Sequence, residues 1–180
     1  MKSQITYFEQ PGPEQTEATF ACVDEALAEL GIRKVVLAST RGDTAHYALD
    51  HYRGQNVQLI VVPHQYGFGP GQRFPPELVE RLEAEGHEVH FGTMLFHQEK
   101  TWGEGPAQAV ANFLRLFGQG VKVCVEILLM AGNAGLVEAG ELAVVVAGTG
   151  RGADTALVMA GSTTTNLKGA HISRILCKPL

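Results

Sequence analysis

The segment Val144-Val-Val-Ala-Gly-Thr-Gly-Arg-Gly-Ala-Asp-Thr-Ala-Leu-Val158 predicts the central feature of the fold. An apolar, β-branched run typical of a strand ends at a turn with glycines at 148, 150 and 152, and a second apolar run follows. Glycines this close together indicate backbone that bends sharply or lies against another group. A shorter copy of this plan is Val35-Val-Leu-Ala-Ser-Thr-Arg-Gly-Asp-Thr-Ala45. Both loops contain Arg-Gly and Asp-Thr-Ala, so we expect them to converge on one anionic ligand.

The glycine loop also matches the loose G-x-G-x-x-A pattern of dinucleotide-binding proteins, but its context rejects that interpretation. The dinucleotide motif opens a helix and is followed about 20 residues later by an acidic residue. Here Ala156–Ala160 is strand-like, and no acidic residue follows Asp154. A simple hairpin would not need three glycines and an arginine, so a backbone nest that binds an anion is favoured. The candidate ligand-binding residues on this loop are Gly148, Thr149, Gly150, Arg151 and Gly152.

The loop Ser39-Thr-Arg-Gly-Asp-Thr44 lies between a predicted buried strand and a predicted helix. Free amides at a helix N-terminus, hydroxyl groups and a guanidinium suit a phosphate, although a well-capped turn uses the same residue types. The charge of Asp43 would repel a phosphate, so Asp43 is expected to cap the helix or to take hydroxyl groups or a metal carried by the ligand. The candidate phosphate-binding residues are Ser39, Thr40, Gly42 and Thr44.

The rest of the chain reads as alternating strands and helices. Ile5–Phe8 is a short strand or an extended arm. Apolar periodicity, prolines and glycines predict five helices. The first begins at Pro13 and ends near Gly31, and the others are Thr44–Tyr52, Pro76–Glu85, a helix that begins at Pro106, and Val121–Ala134. Apolar runs predict buried strands at Lys34–Ala38 and Val57–Val62. Further strands are predicted at Glu88–Gly92, Leu142–Ala147, Ala156–Ala160 and His171–Cys177, with a loop through Trp102 and Gly103.

This order predicts one α/β domain over residues 1–180, with a three-layer architecture and a mostly parallel sheet flanked by helices. The closing strands are joined too tightly for helical crossovers, so at least one of them pairs antiparallel. Ligands of such sheets bind beyond the carboxyl ends of the strands. The loops at Ser39, His64 and Gly148 all follow strands, and we expect them on that one edge.

Composition excludes several classes of function. Apolar content is 45%, charged content is 18% and the formal charge is −5, so the chain is globular. Its last acidic residue is Asp154 and only three basic residues follow, which is too sparse for a nucleic-acid surface. No signal sequence, membrane span, GxSxG, GxxxxGK[ST] or HExxH motif is found, and the histidines are poorly spaced for zinc. Three dispersed cysteines fit a reducing compartment, so we expect a soluble cytoplasmic protein without a bound metal.

Two further groups are candidates for the same site. The loop His64-Gln-Tyr-Gly-Phe68 supplies a titrating group, His64, and an aromatic ring, Tyr66, for a ring-bearing ligand. An Ω-loop that packs its own aromatic rings fits the loop equally well. Lys122 and Glu126 lie one turn apart on an apolar helix, where a structural ion pair is favoured over a catalytic pair.

Five blocks of sequence carry a resemblance to a known family. They are Thr6-Tyr-Phe-Glu-x-Pro-Gly12, Ala38-Ser-Thr-x-Gly-x-Thr-Ala45, His64-x-Tyr-Gly-Phe68, Phe117-Gly-Gln-Gly-Val-Lys-Val-Cys-Val-Glu126 and Val146-Ala-Gly-Thr-Gly-Arg-Gly-Ala-Asp-Thr-Ala156. They resemble the C-terminal, allosteric domain of pyruvate kinase, and the full length resembles a stand-alone prokaryotic, often archaeal, family of such domains. The resemblance implies the same α/β fold with a closing antiparallel strand.

The resemblance also implies a ligand. In pyruvate kinases the counterparts of Ser39–Thr44 and of the Gly148–Asp154 loop hold a sugar bisphosphate, and the stand-alone family implies flavin mononucleotide (FMN). The chain lacks the barrel that carries pyruvate kinase catalysis, so that activity is not expected. Our leading hypothesis is therefore a protein that binds a phosphorylated, ring-bearing small molecule, FMN first. An enzyme acting on a sugar phosphate or nucleotide, and a non-catalytic oligomerisation module, are the alternatives, and a homo-oligomer is expected.

Overall fold

A seven-stranded sheet forms the centre of the protein in the computed structural model, which describes residues 3–97 and 105–180. The strands are β1 (Thr6–Phe8), β2 (Lys34–Ala38), β3 (Gln58–Val62), β4 (Glu88–Val89), β5 (Leu142–Ala147), β6 (Thr155–Ala160) and β7 (His171–Pro179). The helices are α1 (Thr16–Leu30), α2 (Asp43–His51), α3 (Pro76–Ala84), α4 (Pro106–Arg115) and α5 (Gln119–Asn133), with short 3₁₀ turns at Pro13–Gln15 and Thr164–Gly169. The predicted loop through Trp102 and Gly103 lies outside the described residues, as do Met1 and Lys2 of the N-terminus.

The strand order is β1-β7-β6-β5-β2-β3-β4. Strands β5, β2, β3 and β4 are mutually parallel, and β1 is parallel to β7. Strand β6 is antiparallel to both of its neighbours because the glycine loop between β5 and β6 is too short for a crossover helix. The mostly parallel sheet with closing antiparallel pairing is therefore confirmed.

Alternate residues of the central strands enter two separate cores, which gives the three layers. Successive side chains of a strand point to opposite faces of the sheet, so the odd and even positions of each strand belong to different cores. One face of the sheet packs against α1, α2 and α3 through Val35, Leu37, Leu59, Val61, Val144 and Val146. The opposite face packs against α5 through Val36, Ile60, Val62, Ala143 and Val145. Strands that are apolar on both faces are buried on both faces, as their continuous apolar runs predict.

Helix α5 is a buried helix, as the sequence predicts, and it has 15 residues. Its side chains pack under the sheet beside Val145 and Leu157. Along the parts of the chain that the structure describes, no helix is long and apolar enough to cross a membrane.

Three element predictions need correction. Gly42, in the left-handed conformation, occupies the N-cap position of α2, and Asp43 is the first helical residue rather than its cap. Strand β4 is only two residues long, not Glu88–Gly92, because it is an edge strand that pairs with Ile60 and Val61 and then leaves the sheet. The N-terminal segment is a strand over Thr6–Phe8 and pairs with β7, so the extended-arm alternative is wrong.

Helix α4 exposes most of the apolar face that its periodicity defines. Phe113 is 64% exposed, and Val110 and Phe117 are exposed as well, whereas Leu114 is packed against the core. The buried contact of the helix is made by the small residue Ala111. The helix therefore lies on the core by a narrow strip and leaves aromatic surface uncovered.

Candidate functional site

A cavity of about 350 Å³ opens at the carboxyl edge of β2, β3 and β5. The three strands are parallel, so the loops that follow them meet at this edge. The cavity is lined by most of the residues that the sequence singled out: Ser39, Thr40, Thr44, His64, Lys122, Glu126, Gly148, Gly150, Arg151 and Gly152. The structure thus brings two glycine-containing loops, the His64 loop and α5 around one space.

Three predicted site residues do not line the cavity. The α-carbon of Gly42 faces the start of α3, where an added methyl group would lie 2.9 Å from Leu78. Tyr66 is 67% exposed and its ring packs at 5.1 Å from that of Phe91. Thr149 lies on the outer side of its loop, and its backbone N–H donates to Asp154. These residues shape or flank the neighbouring loops.

The Ser39 loop opens the N-terminus of α2 toward the cavity. Ser39 Oγ accepts the backbone N–H of Ala45 at 3.2 Å, so a side chain from the strand end caps the helix from a distance. Thr40 and Thr44 line the cavity beside it. A helix N-terminus carries partial positive charge and N–H donors, so this end of the cavity favours an anion.

The Gly148 loop is held by the buried carboxylate of Asp154. Asp154 accepts the backbone N–H groups of Thr149 at 2.9 Å and Gly12 at 3.2 Å, and the hydroxyl of Thr155 at 2.8 Å. Strand β6 follows directly, and this confirms that the loop is not a dinucleotide-binding turn. These contacts of Asp154 hold the backbone of the loop, and with it the backbone of Arg151, in one position.

The packing of this loop explains why two of its positions, 148 and 152, are occupied by glycine. A methyl group added at Gly148 would lie 2.3 Å from the carbonyl oxygen of Gly152, and one added at Gly152 would lie 2.3 Å from Pro13. Gly152 also has a positive φ of 69°. The loop therefore closes on itself and on the start of α1, and no side chain larger than glycine fits at either position.

The two loops are bridged by an ion pair between Arg151 and Asp43, with Nη2 and Oδ2 3.1 Å apart. Their side chains are 66% and 58% exposed. Exposed pairs of this kind contribute about 0–1 kcal/mol, so the contact is easily exchanged for another. The expected capping of α2 by Asp43 is wrong, and its carboxylate meets Arg151 at the cavity, where a contact with the ligand stays a prediction.

The cavity is positively charged although the protein is negatively charged. In the part of the chain that the structure describes, Arg41, Arg73, Arg151 and Lys122 line it together with two carboxylates, Asp43 and Glu126, which is an excess of two positive charges. The whole chain has a formal charge of −5. A concave surface of opposite sign to the rest of the molecule concentrates anions.

The inner end of the cavity contains a buried ion pair. Lys122 Nζ lies 2.5 Å from Glu126 Oε2, and the two side chains are 0% and 4% exposed. Glu126 Oε1 also accepts the backbone N–H of Phe96 at 2.8 Å, and Lys122 lies over the Phe96 ring at 5.3 Å. The pair is therefore part of the interior, and it connects α5 with the segment that follows β4.

His64 also lines the cavity, on the loop that follows β3. Its Nδ1 is 3.2 Å from an Arg73 nitrogen, and its ring is edge-on to Phe68 at 4.7 Å. Because arginine only donates, Nδ1 accepts and the ring proton resides on Nε2. Burial first, and then the positive charge of Arg73, lower the pKa of His64 below its ordinary value. The imidazole is thus a neutral hydrogen-bond donor.

Several lining residues were not assigned to the site from the sequence. They are Arg41, Arg73, Met94, His97 and Gln119. Met94 and His97 follow β4, which is parallel to β3, so its carboxyl end reaches the same edge. The rule that ligands bind beyond the carboxyl ends of parallel strands would have assigned the segment after β4 to the site. The sequence predicted a longer strand there, Glu88–Gly92, and its following loop was not considered for the site.

Comparison with known proteins gives a family and a set of structural neighbours. A family model described as pyruvate kinase, alpha/beta domain, matches residues 17–159. A pyruvate kinase from Cryptosporidium parvum aligns at 16% identity with a TM-score of 0.44, over 82% of this chain and 23% of that chain. A second structure of pyruvate kinase from this organism gives 14% identity, a TM-score of 0.42, and coverage of 82% and 22%. A third, in complex with ADP, gives 17% identity, a TM-score of 0.42, and coverage of 79% and 22%. The chain spans less than a quarter of the length of these matched chains.

Proposed function

The chain belongs to the family of pyruvate kinase alpha/beta domains, and from that premise we propose that it binds a phosphorylated small molecule in the cavity at the carboxyl edge of its sheet. FMN is the first candidate ligand, followed by related nucleotides and sugar phosphates. The reaction of pyruvate kinase is not part of the proposal.

The observation that supports this proposal most directly is the charge of the cavity. Four cationic side chains face two carboxylates there, in a protein whose formal charge is −5. Positive charge collected in a concave site of an otherwise acidic protein is expected where the ligand is an anion. The volume of about 350 Å³ is within the range of about 300–1,000 Å³ typical of small-molecule sites.

The phosphate is expected at the outer end, between the two loops. Ser39, Thr40 and Thr44 supply hydroxyl groups at the N-terminus of α2, and the Gly148–Gly152 backbone supplies amide groups. Arg151 is already within reach of this space, and its exposed contact with Asp43 is weak enough to be replaced by a phosphate oxygen. The two loops then share one dianionic group.

The remainder of the ligand is expected along the apolar part of the cavity. Phe68, Met94, Val123, Ile127 and Met130 line it between the two charged ends. Aromatic and thioether side chains pack well against a flat ring. These residues are compatible with a flavin ring, which would supply redox chemistry when bound, and equally with a nucleobase. His64 can donate a hydrogen bond from Nε2 to a ring or sugar oxygen.

The proposal is tested by comparing FMN with riboflavin. Purified protein would be titrated with each, and quenching of flavin fluorescence would be measured. We expect FMN to bind and riboflavin to bind at least about tenfold more weakly, since the charge-assisted phosphate contacts contribute at least about 1.5 kcal/mol. Equal affinity would contradict a phosphate site between the loops. Failure to bind FMN, and failure of AMP and ribose 5-phosphate to bind as well, would contradict the proposal altogether.

Native mass spectrometry of the purified protein would complete the test. We propose that the protein acts in the cytoplasm as a homo-oligomer, for which the exposed rings of Phe113 in α4 and of Phe117 just after it are a natural contact surface. The measurement reports a co-purified ligand by its mass and the number of subunits in the same spectrum. A monomer at micromolar concentration would contradict the oligomer.

A further inference from the structure

Four titratable side chains from three parts of the chain meet at the inner end of the cavity. His64 follows β3, His97 follows β4, and Lys122 and Glu126 belong to α5. Both imidazole rings lie edge-on to Phe68, at centroid distances of 4.7 Å and 5.5 Å. The binding proposed above makes no use of His97, Lys122 and Glu126, so their arrangement beside His64 calls for a separate explanation.

His97 is placed as an acid–base group. Its side chain is 22% exposed and lines the cavity. Its Nδ1 lies 3.4 Å from Glu126 Oε1 and 3.4 Å from Lys122 Nζ. Its Nε2 has no partner in residues 3–97 or 105–180. An imidazole held on one nitrogen and free on the other is the arrangement in which histidine exchanges protons with a ligand.

Glu126 orients this imidazole rather than reaching the ligand itself. Its carboxylate accepts the Phe96 N–H and is paired with Lys122, so its position is determined from two sides. When His97 takes up a proton on Nε2, its Nδ1–H can donate to Glu126 Oε1, and the carboxylate stabilises the imidazolium. Lys122 balances the charge of Glu126 in the interior.

His64 supplies the complementary group on the same side of the cavity. Arg73 donates to its Nδ1, so the Nε2–H is available as a neutral donor. A neutral imidazole donor next to a carbonyl oxygen stabilises the negative charge that develops on that oxygen when a neighbouring C–H bond ionises. A base, an oxyanion donor and a phosphate anchor are together sufficient for enolisation, which needs no cofactor.

We propose that the cavity is an active site for proton transfer at the carbon next to the carbonyl group of a small sugar phosphate, with His97 as the base and His64 as the oxyanion donor. His97 Nε2 takes the proton, the C–H electron pair forms the C=C bond, and the carbonyl π electrons move to the oxygen that His64 contacts, which gives an enediolate. His64 Nε2–H gives its proton to this oxygen and takes the proton of the neighbouring hydroxyl group, while His97 returns its proton to the adjacent carbon. The product is the isomeric sugar phosphate, both imidazoles are restored, and no oxidant is consumed. This inference rests on the proposed function and selects sugar phosphates within its ligand class.

The test is solvent exchange with dihydroxyacetone phosphate as the probe. The protein and the probe are incubated in D₂O, and loss of the proton signal of the hydroxymethyl carbon is followed by NMR. Binding of the same probe is measured in parallel by calorimetry. Wild-type protein is expected to catalyse exchange, and His97→Gln to slow it by roughly 100-fold or more while probe affinity is kept. His171→Gln, which changes an exposed histidine outside the cavity, is the matched control.

The positioning role of Glu126 has its own readout. Within residues 3–97 and 105–180, the titratable and charged groups that face His97 are Glu126 and Lys122 from α5, His64 after β3 and, beyond His64, Arg73. Glu126→Gln removes the anion and keeps the shape, so the pH midpoint of the exchange rate should fall, because the imidazolium loses its partner. A purely structural residue would lower the rate without moving the midpoint.

The outcomes separate this inference from the proposed function. Binding of dihydroxyacetone phosphate without exchange would overturn proton transfer and leave phosphate binding intact. Exchange that persists in His97→Gln would remove His97 as the base. No binding of this probe would also overturn the inference, whereas the proposed function is judged by the FMN titration.

Discussion

The outer and inner ends of the cavity each contain an ion pair, and the two pairs differ in exposure and in the number of groups that contact them. At the outer end, Arg151 and Asp43 are mostly exposed and are joined by a single contact between two loops. At the inner end, Lys122 and Glu126 are buried and bonded on several sides. The comparison shows that an ion pair that lines a cavity can be exposed, so that a ligand can replace one partner, or buried, so that it belongs to the core. Exposure and the number of partners distinguish the two, and the sequence shows neither.

The largest expected effect is on stability, and it tests whether the buried pair Lys122–Glu126 is part of the interior. Glu126→Ala leaves the Lys122 charge buried without its carboxylate, and we expect the free energy of unfolding to fall by about 3–5 kcal/mol in urea titrations. Asp50→Ala, which breaks exposed contacts with Arg53 and Arg81, is the control and should lower the free energy of unfolding far less.

A double substitution sharpens the same comparison. Lys122→Met with Glu126→Leu replaces the pair by apolar side chains of similar size, so much of the lost stability should return. If Glu126→Ala cost no more than Asp50→Ala, the inner pair would have to be regarded as solvated like the outer one.

The next largest effect is on ligand affinity at the outer end. Arg151→Ala removes a charge-assisted phosphate contact and should weaken FMN binding by about 1.5–3 kcal/mol, with little change in the urea midpoint because the side chain is exposed. Fluorescence titration measures the affinity. Arg53→Ala, an exposed arginine away from the cavity, is the matched control. An unchanged affinity would remove Arg151 from the site.

A smaller effect of opposite sign is expected at the partner of Arg151. Asp43→Asn removes both the competitor for Arg151 and a negative charge near the ligand phosphate, so FMN affinity should rise, by up to about 1 kcal/mol. The gain should disappear in 1 M salt, which screens exposed charges. Weaker binding of FMN by Asp43→Asn would indicate instead that Asp43 contacts the ligand.

The smallest effect concerns pH and the buried histidines. Burial, with the positive charge of Arg73 at His64, holds the pKa of His64, His87 and His90 below the ordinary value of 6.5. The unfolded chain therefore binds more protons than the folded chain below pH 6.5, so stability present above that pH is lost as the pH falls. Urea unfolding at pH 7.5 and 5.5 measures the loss, and His87→Gln should reduce it. Higher stability at pH 5.5 would contradict the assignment of these histidines as neutral.

Most of the fold follows from local pattern. The apolar runs at Lys34–Ala38 and Leu142–Ala147 are strands with the predicted bounds, since a strand buried on both faces needs a continuous apolar run. The end of α1 at Gly31 follows from its left-handed conformation. The short length of β4 could not be predicted, because an edge strand ends where its neighbour stops offering hydrogen bonds.

The site was predictable where its residues follow strands and unpredictable where they depend on irregular segments. The loops at Ser39, His64 and Gly148 lie at one edge because parallel strands share a direction. Arg73 and His97 come from segments without a periodic pattern, and their position depends on how those segments pack. Tyr66 lies in a predicted loop but is turned away, because a loop of known location still has many orientations.

By itself, the sequence determined the layers of this protein and the edge of the sheet at which its loops meet, because burial on two faces and strand direction are encoded in local apolar pattern. Only the tertiary structure decided which charges oppose one another. Arg151 meets Asp43, and His97 meets Glu126, across separations along the chain that no local pattern spans. Such pairings depend on distances of a few ångströms between elements, and these are set by the packing of the whole core.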